Sequence, residues 1–444
     1  MTQDTLTHEC ETPLALASAK AHCELCESLH DDPEQSTAGT VGRSEKVESA
    51  AESIVDALGF CGYHGLLLTT QADRGITHMR TLRDATERVI ELLSDEKRYA
   101  DRLVEICFLA ERSCPTCKVD DHRLKHHTNR LTERLESESS VSLCFPHYRA
   151  VTYAARPETL AALVGAQRAL HEAVVGAVGA IPSGSHARTN HSSLLPATLR
   201  WALDVVAGQA RPRQDLPVLY PAPEPGCPVC SEIVGAANHW IDAVKAAARL
   251  GQYLWTVFPT CPAHIRHCAA LNDERIATLA ARYAADVQVR ALQRGVAALA
   301  RDNEQRARAA KSVFYRRQSP AYVLGQQRKM ITNIPRCPAC ERLIVARDRA
   351  IGSLVQKLRG SRGRSDRFSI PCLKHFAAVY IFLSEGDARD AFVANQLEVL
   401  HELHGKLKGA TADAASSARA AIRVSVRQGI SLWSAATPPT SAYS

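Results

Sequence analysis

The chain has 444 residues, 45% of them hydrophobic and 5% aromatic, with a formal net charge of +7. That length exceeds one compact core and suggests several units. The longest apolar runs, such as Phe376 to Leu383, are far shorter than the roughly 20 residues of a membrane span. The first residues lack the basic and apolar regions of a secretory signal, so the expected location is cytoplasmic.

Fifteen cysteines in such a chain point to metal ligation or redox chemistry before disulfides. Their spacing favours metal. CxxC occurs at Cys23/Cys26, Cys114/Cys117, Cys227/Cys230 and Cys337/Cys340, and CxxH at Cys61/His64, Cys144/His147, Cys261/His264 and Cys372/His375. The two patterns alternate strictly, whereas composition alone would give about half an instance of each. Two intervening residues let a tight turn aim both side chains at one ion. Two such knuckles supply three thiolates and an imidazole, the closed donor set of structural zinc. The expectation is therefore four zinc ions, with an iron–sulfur cluster as the alternative the same donors leave open. The predicted fold class is all-α: four tandem helical modules, each pinned by its own three-cysteine/one-histidine site.

Module 1 (1–106) diverges. Its polar stretch Asp31–Ser44 reads as a loop, a helix is expected from about Val47 to Leu58, and no proline follows Cys23. Module 2 (107–214) opens with Cys114-Pro115 and continues into a helix carrying His122, His126 and His127, read as surface histidines. Linkers are expected near 181–193 and near 211–226, the second with five prolines.

Module 3 (215–330) is the clearest. Ile233, Ala237, Ile241, Val244 and Ala248 recur at helical spacing. Gly251 then stops the helix, and Gln252–Phe258 reads as an extended return. A helix of about 20 residues rises about 30 Å, and about eight extended residues cover about 26 Å back. By that reckoning Cys261 returns to Cys227. His267 and Cys268 follow closely, with Cys268 expected on the apolar face of a short helix.

Module 4 (331–444) repeats the helix with Leu343, Ile344, Ile351, Leu354, Val355 and Leu358, and ends in a tail from Ala435. Nine residues beyond the ligand histidines sit Asp73, Arg156, Asp273 and Ser384. Three of them are good helix caps, and Arg156 precedes a proline suited to a first helical turn. Long amphipathic helices should follow, in module 3 through Ile276, Leu279, Tyr283 and Val287. His401-Glu402-Leu403-His404 lacks the metalloprotease spacing, because its histidines lie three apart.

The Cys-Pro-x-Cys start, the intervening helix and the later Cys-x-x-His resemble an uncharacterised group of bacterial helical proteins with zinc-knuckle pairs. The likeness covers modules 2 to 4 well and module 1 loosely. It implies metal binding at these positions and no substrate.

Occupied sites carry −1 each, so four would reduce the charge to +7 − 4 = +3. Residues 301–367 hold 17 Lys/Arg against 5 Asp/Glu, and residues 1–60 hold 3 against 12. The basic stretch includes Arg316, Arg317, Arg328, Lys329, Arg359, Arg362, Arg364 and Arg367, with Phe314 and Tyr315 beside it. Such a stretch can neutralise phosphates, which makes nucleic-acid binding the alternative function. Closed four-donor sites leave no position to activate water, and no catalytic motif is present. The sequence thus points to a non-enzymatic zinc-binding scaffold, adaptor or accessory protein for a protein partner. An iron–sulfur or redox accessory role is a third reading.

Overall fold

The computed structural model describes residues 23–30, 75–94, 115–135, 141–181, 196–208, 227–251, 256–271, 273–309, 325, 328, 334–360, 371–383 and 386–412. These contain twelve α-helices and no strand. In chain order they are α1 (Glu24–His30), α2 (Gly75–Ser94), α3 (Pro115–Arg134), α4 (Phe145–Ala154), α5 (Pro157–Gly179) and α6 (Ala197–Ala207). Then come α7 (Pro228–Leu250), α8 (Pro262–Ala270), α9 (Glu274–Ala309), α10 (Pro338–Gly360), α11 (Leu373–Phe382) and α12 (Asp387–Ala412). No described helix is long and apolar enough to cross a membrane.

Motif residues start many of these helices. Cys144, Cys227, Cys261 and Cys372 are the N-cap residues of α4, α7, α8 and α11. Proline in the first two positions of α4, α7 and α8 fixes the entry where its missing N–H is not needed. Asp273 caps α9 by accepting from the backbone N–H groups of Arg275 and Ile276 at 3.0 and 3.1 Å. Arg156 caps α5 without a side-chain bond, ahead of Pro157. Gly251 ends α7 in the left-handed conformation, φ 64°, which spares the steric penalty any side chain would meet there. Asp73 and Ser384 lie outside the described residues, as do residues 31–58, most of both expected linkers and the C-terminal tail.

α7 and α10 pack antiparallel. One core joins Val229, Ile233 and Ala237 of early α7 to Ile351, Leu354, Val355 and Leu358 of late α10. Another joins Val244, Ala247 and Ala248 of late α7 to Ala339 at the start of α10. After each of Cys144, Cys261 and Cys372 the chain forms a short helix and then a long one. Two of these long helices, α5 and α9, pack together, and the third, α12, packs against α2.

A buried polar network crosses the α5–α9 contact. His171 Nε2 lies 2.7 Å from Gln288 Oε1, and Gln288 Nε2 donates to the Val206 carbonyl at 3.0 Å. His171 Nδ1 is 2.9 Å from the Gln167 carbonyl, and Gln167 Nε2 donates to the Leu143 carbonyl at 3.0 Å. His171 and Gln288 each stand twenty-four positions after the ligand-type histidine of their own segment, His147 and His264. Equivalent positions therefore face each other. All three network side chains are buried, so the bonds offset a desolvation cost that would otherwise be uncompensated.

Candidate metal centres

Three quartets of donors converge: Cys23, Cys26, Cys144 and His147; Cys227, Cys230, Cys372 and His375; and Cys261, His264, Cys337 and Cys340. Within each quartet the donor atoms lie within 4.8 Å of one another. Every quartet joins one CxxC to one CxxH, but not within one sequence module. Module 1 CxxC meets module 2 CxxH, and modules 3 and 4 exchange knuckles in both directions. The expected sites Cys23/Cys26 with Cys61/His64, Cys114/Cys117 with Cys144/His147, Cys227/Cys230 with Cys261/His264, and Cys337/Cys340 with Cys372/His375 are therefore corrected. Cys61, His64, Cys114 and the Cys117 side chain lie outside the described residues.

The reason is where the return after α7 stops. Trp240 Nε1 donates to the Val257 carbonyl at 2.9 Å, and residues 256–258 form a turn and bend rather than an extended run. Thirteen helical steps lead from Cys227 to Trp240, about 20 Å at about 1.5 Å each. The four steps from Val257 to Cys261 span at most about 14 Å. Cys261 therefore stays beside the middle of α7, where the start of α10 arrives. The His264 ring stands near-perpendicular to Trp240, with centroids 5.0 Å apart.

Around His147 Nδ1 lie the sulfurs of Cys23, Cys144 and Cys26 at 3.2, 3.3 and 3.4 Å, with Cys26 and Cys144 Sγ 3.8 Å apart. Around His375 Nδ1 lie Cys227, Cys372 and Cys230 at 3.3, 3.3 and 3.4 Å, with Cys230 and Cys372 Sγ 3.8 Å apart. Around His264 Nδ1 lie Cys261, Cys340 and Cys337 at 3.0, 3.4 and 3.8 Å, with Cys261 and Cys340 Sγ 3.7 Å apart. A tetrahedron with metal–sulfur bonds of about 2.3 Å and a metal–nitrogen bond of about 2.0 Å has edges of about 3.8 and 3.5 Å. The quartets have the dimensions of one ion's coordination shell. The Cys261 centre lies wholly inside the Cys227 centre in sequence.

Each quartet sits where two helices begin: α1 and α4, α7 and α11, or α8 and α10. Helix N-termini present unbonded N–H groups and a positive dipole end, which favour thiolates. The backbone N–H of Cys230 points at Cys227 Sγ from 3.4 Å. Further bonds lock facing knuckles together. Glu24 N–H donates to the Ser142 carbonyl at 3.2 Å, and Thr260 Oγ1 donates to the Pro335 carbonyl at 3.1 Å.

In each quartet the crowded sulfurs split, one thiol being lowered and a neighbour raised. Hydrogen bonds from Cys144 and Cys26 hold the Cys23 thiol far below the ordinary range, and those from Cys230 and Cys372 do so for Cys227. Bonds from Cys261 and Cys340 likewise lower Cys337. Burial pushes Cys144 and Cys372 up, and Cys261 is raised first by its hydrogen bond to Cys337. Three thiolates cannot share so small a volume without a positive charge between them, which a bound metal ion would supply. With Nδ1 as donor, the ring proton of each histidine belongs on Nε2. In His375 that atom is buried without a hydrogen-bond partner among the described residues, so the ring is oriented from its Nδ1 side by the three sulfurs and by packing.

Gly208 escaped the sequence reading. It ends α6 at φ 79°, and a Cβ there would lie 3.3 Å from Cys144 Sγ. A glycine closing a helix is the signal, but its sulfur neighbour is 64 positions away. Cys268 is fully buried in an apolar core, as expected, and does not belong to the Cys261 quartet. His122 and His126 are exposed and His127 partly buried, and no cluster gathers them with other donors among the described residues. In the basic segment, Arg328 donates to the Ala155 carbonyl at 2.6 Å and Arg359 to the Phe382 carbonyl at 2.7 Å. Phe314, Tyr315, Arg316, Arg317, Lys329, Arg362, Arg364 and Arg367 lie outside the described residues.

Fold and donor sets together define an all-helical protein with three-cysteine/one-histidine clusters that can hold metal. Comparison with protein-family models, curated proteins and solved structures finds no match to this chain.

Proposed function

We propose that the chain is a structural zinc protein, a non-enzymatic helical scaffold or adaptor built from four modules and clasped between modules by its ions. The observation that carries this reading is the exchange of knuckles within quartets of one ion's size. Three thiolates and an imidazole suit zinc by ligand softness, and a complete protein shell leaves no open coordination position for catalysis. An iron–sulfur cluster would attach its cysteines to separate irons and spread their sulfurs beyond the edges of a single coordination tetrahedron, so the compact quartets support a mononuclear centre. Cys61/His64 and Cys114/Cys117 are the motifs left over by the exchange, and pairing them gives four ions per chain. Helix faces held in fixed relation by these clasps would serve a protein partner.

The test is elemental analysis of anaerobically purified full-length protein, with its visible spectrum. The expected result is a colourless protein with four zinc per chain. Brown protein carrying iron and acid-labile sulfide, or protein carrying no metal after purification without chelators, would overturn the reading.

A further inference from the structure

The three centres differ in how far their cysteine residues are exposed. Cys23, Cys26 and Cys144 are only 5%, 6% and 2% exposed. In the second centre Cys227 and Cys372 are buried and Cys230 is partly exposed. In the third, Cys261 and Cys340 are both partly exposed, and their sulfurs are 3.7 Å apart. Of the three described centres, this is the one with two neighbouring cysteine residues that are both partly exposed.

Resting on the metal-site reading above, we propose that Cys261 and Cys340 form a site of reversible oxidation by hydroperoxides, which opens the clasp between α8 and α10 while the other two described clasps hold. One sulfur attacks the peroxide, the O–O bond breaks, and a sulfenic acid forms with one water released after protonation. The second sulfur attacks the sulfenic sulfur, the S–S bond forms, and a second water leaves. Two thiolates lose two electrons, one hydrogen peroxide gains them, two protons come from solvent, and the divalent ion is released because two of its four donors are gone. A dithiol reductant reverses the step by exchange, regenerating both thiols as its own disulfide forms. The clasp that opens is the inner one. Cys227, Cys230, Cys372 and His375 still tie the start of α7 to α11. Cys268, buried in the same apolar core as Cys337, stays a thiol because the oxidant does not reach it.

The experiment uses full-length protein whose metal content has first been measured, so that failure of the zinc reading shows before any oxidant is added. Hydrogen peroxide is added in steps, release is followed with a chromogenic chelator, and unreacted thiols are alkylated for disulfide mapping by mass spectrometry. Among the three centres, the Cys261–Cys340 disulfide should form first, about tenfold faster than any disulfide in the other two, as oxidation follows exposure. Cys268 should remain alkylatable, and dithiothreitol with added zinc should restore the starting content. Cys261→Ser should abolish the fast release. If that variant misfolds, mapping of the unaltered protein decides. A first disulfide among Cys23, Cys26 and Cys144 or among Cys227, Cys230 and Cys372, or equal rates at all three centres, would overturn the proposal.

Discussion

Cys227 Sγ lies 3.3 Å from Nδ1 of His375, although 148 positions separate the two residues. The nearer knuckle at Cys261 and His264 instead belongs with Cys337 and Cys340. This pairing can be read as whole numbers of ions. Cys227→Ala should remove one ion per chain. Adding His375→Ala should remove no further ion, because both residues serve one centre, whereas adding His264→Ala should remove a second. Mass spectrometry under non-denaturing conditions counts them. The opposite pattern would restore pairing within modules.

Gly208 is held against Cys144 at a backbone angle few side chains adopt. Gly208→Ala should strain that turn and push on the sulfur. Loss of the ion at Cys23, Cys26, Cys144 and His147 to a competing chelator should quicken by roughly tenfold, the scale on which neighbours of ligands tune metal sites. Differential alkylation of these cysteines reports it, and unchanged kinetics would show that the site yields freely.

Burial holds the His171 imidazole down to about 4, against an ordinary 6.5. The folded state therefore keeps the ring neutral while the unfolded chain takes up a proton. The stability that His171 contributes is complete above about pH 6.5 and is lost as pH falls toward 4. Between pH 7 and pH 5 the loss is about 2 kcal/mol. His171→Gln removes the titration while keeping an amide near Gln288, so its urea midpoint should fall less over that interval. Metal held at constant excess in both proteins isolates this difference. Equal slopes would contradict the assignment.

Gln396 is 1% exposed, and neither its amide nitrogen nor its oxygen has a hydrogen-bond partner among the described residues. It lies between Phe392 and Leu400, one turn away on either side of α12 and both part of the apolar core. An unsatisfied buried polar group is destabilising, and a shape-matched apolar one is not. Gln396→Met should raise stability by about 1 kcal/mol, measured by thermal or urea unfolding. A lower melting temperature would mean that ordered water satisfies the amide.

The twelve donors that converge among the described residues were legible because few residue types bind a soft ion, and two-residue spacing is a local constraint the chain displays openly. The Asp273 cap and the Gly251 stop were legible for the same reason: each acts on backbone groups within a few positions. Pairing was not. It depends on how far the segment after α7 returns, and one indole N–H on the Val257 carbonyl fixes that. The His171–Gln288 contact was hidden as well. A histidine and a glutamine 117 positions apart show no local pattern, and only the packing of α5 on α9 makes them partners.

The nested arrangement has a consequence for biosynthesis. Cys340 follows Cys261 by 79 residues, whereas His375 follows Cys227 by 148. A ribosome adding about 5–20 residues per second finishes the inner four donors before the outer four are all made. Joining the inner pair first would shorten the span the outer pair must still bridge, which lowers the entropic cost of that second closure. With metal in both centres, the nascent polypeptide would fasten from the inside outward, like parentheses closed in order.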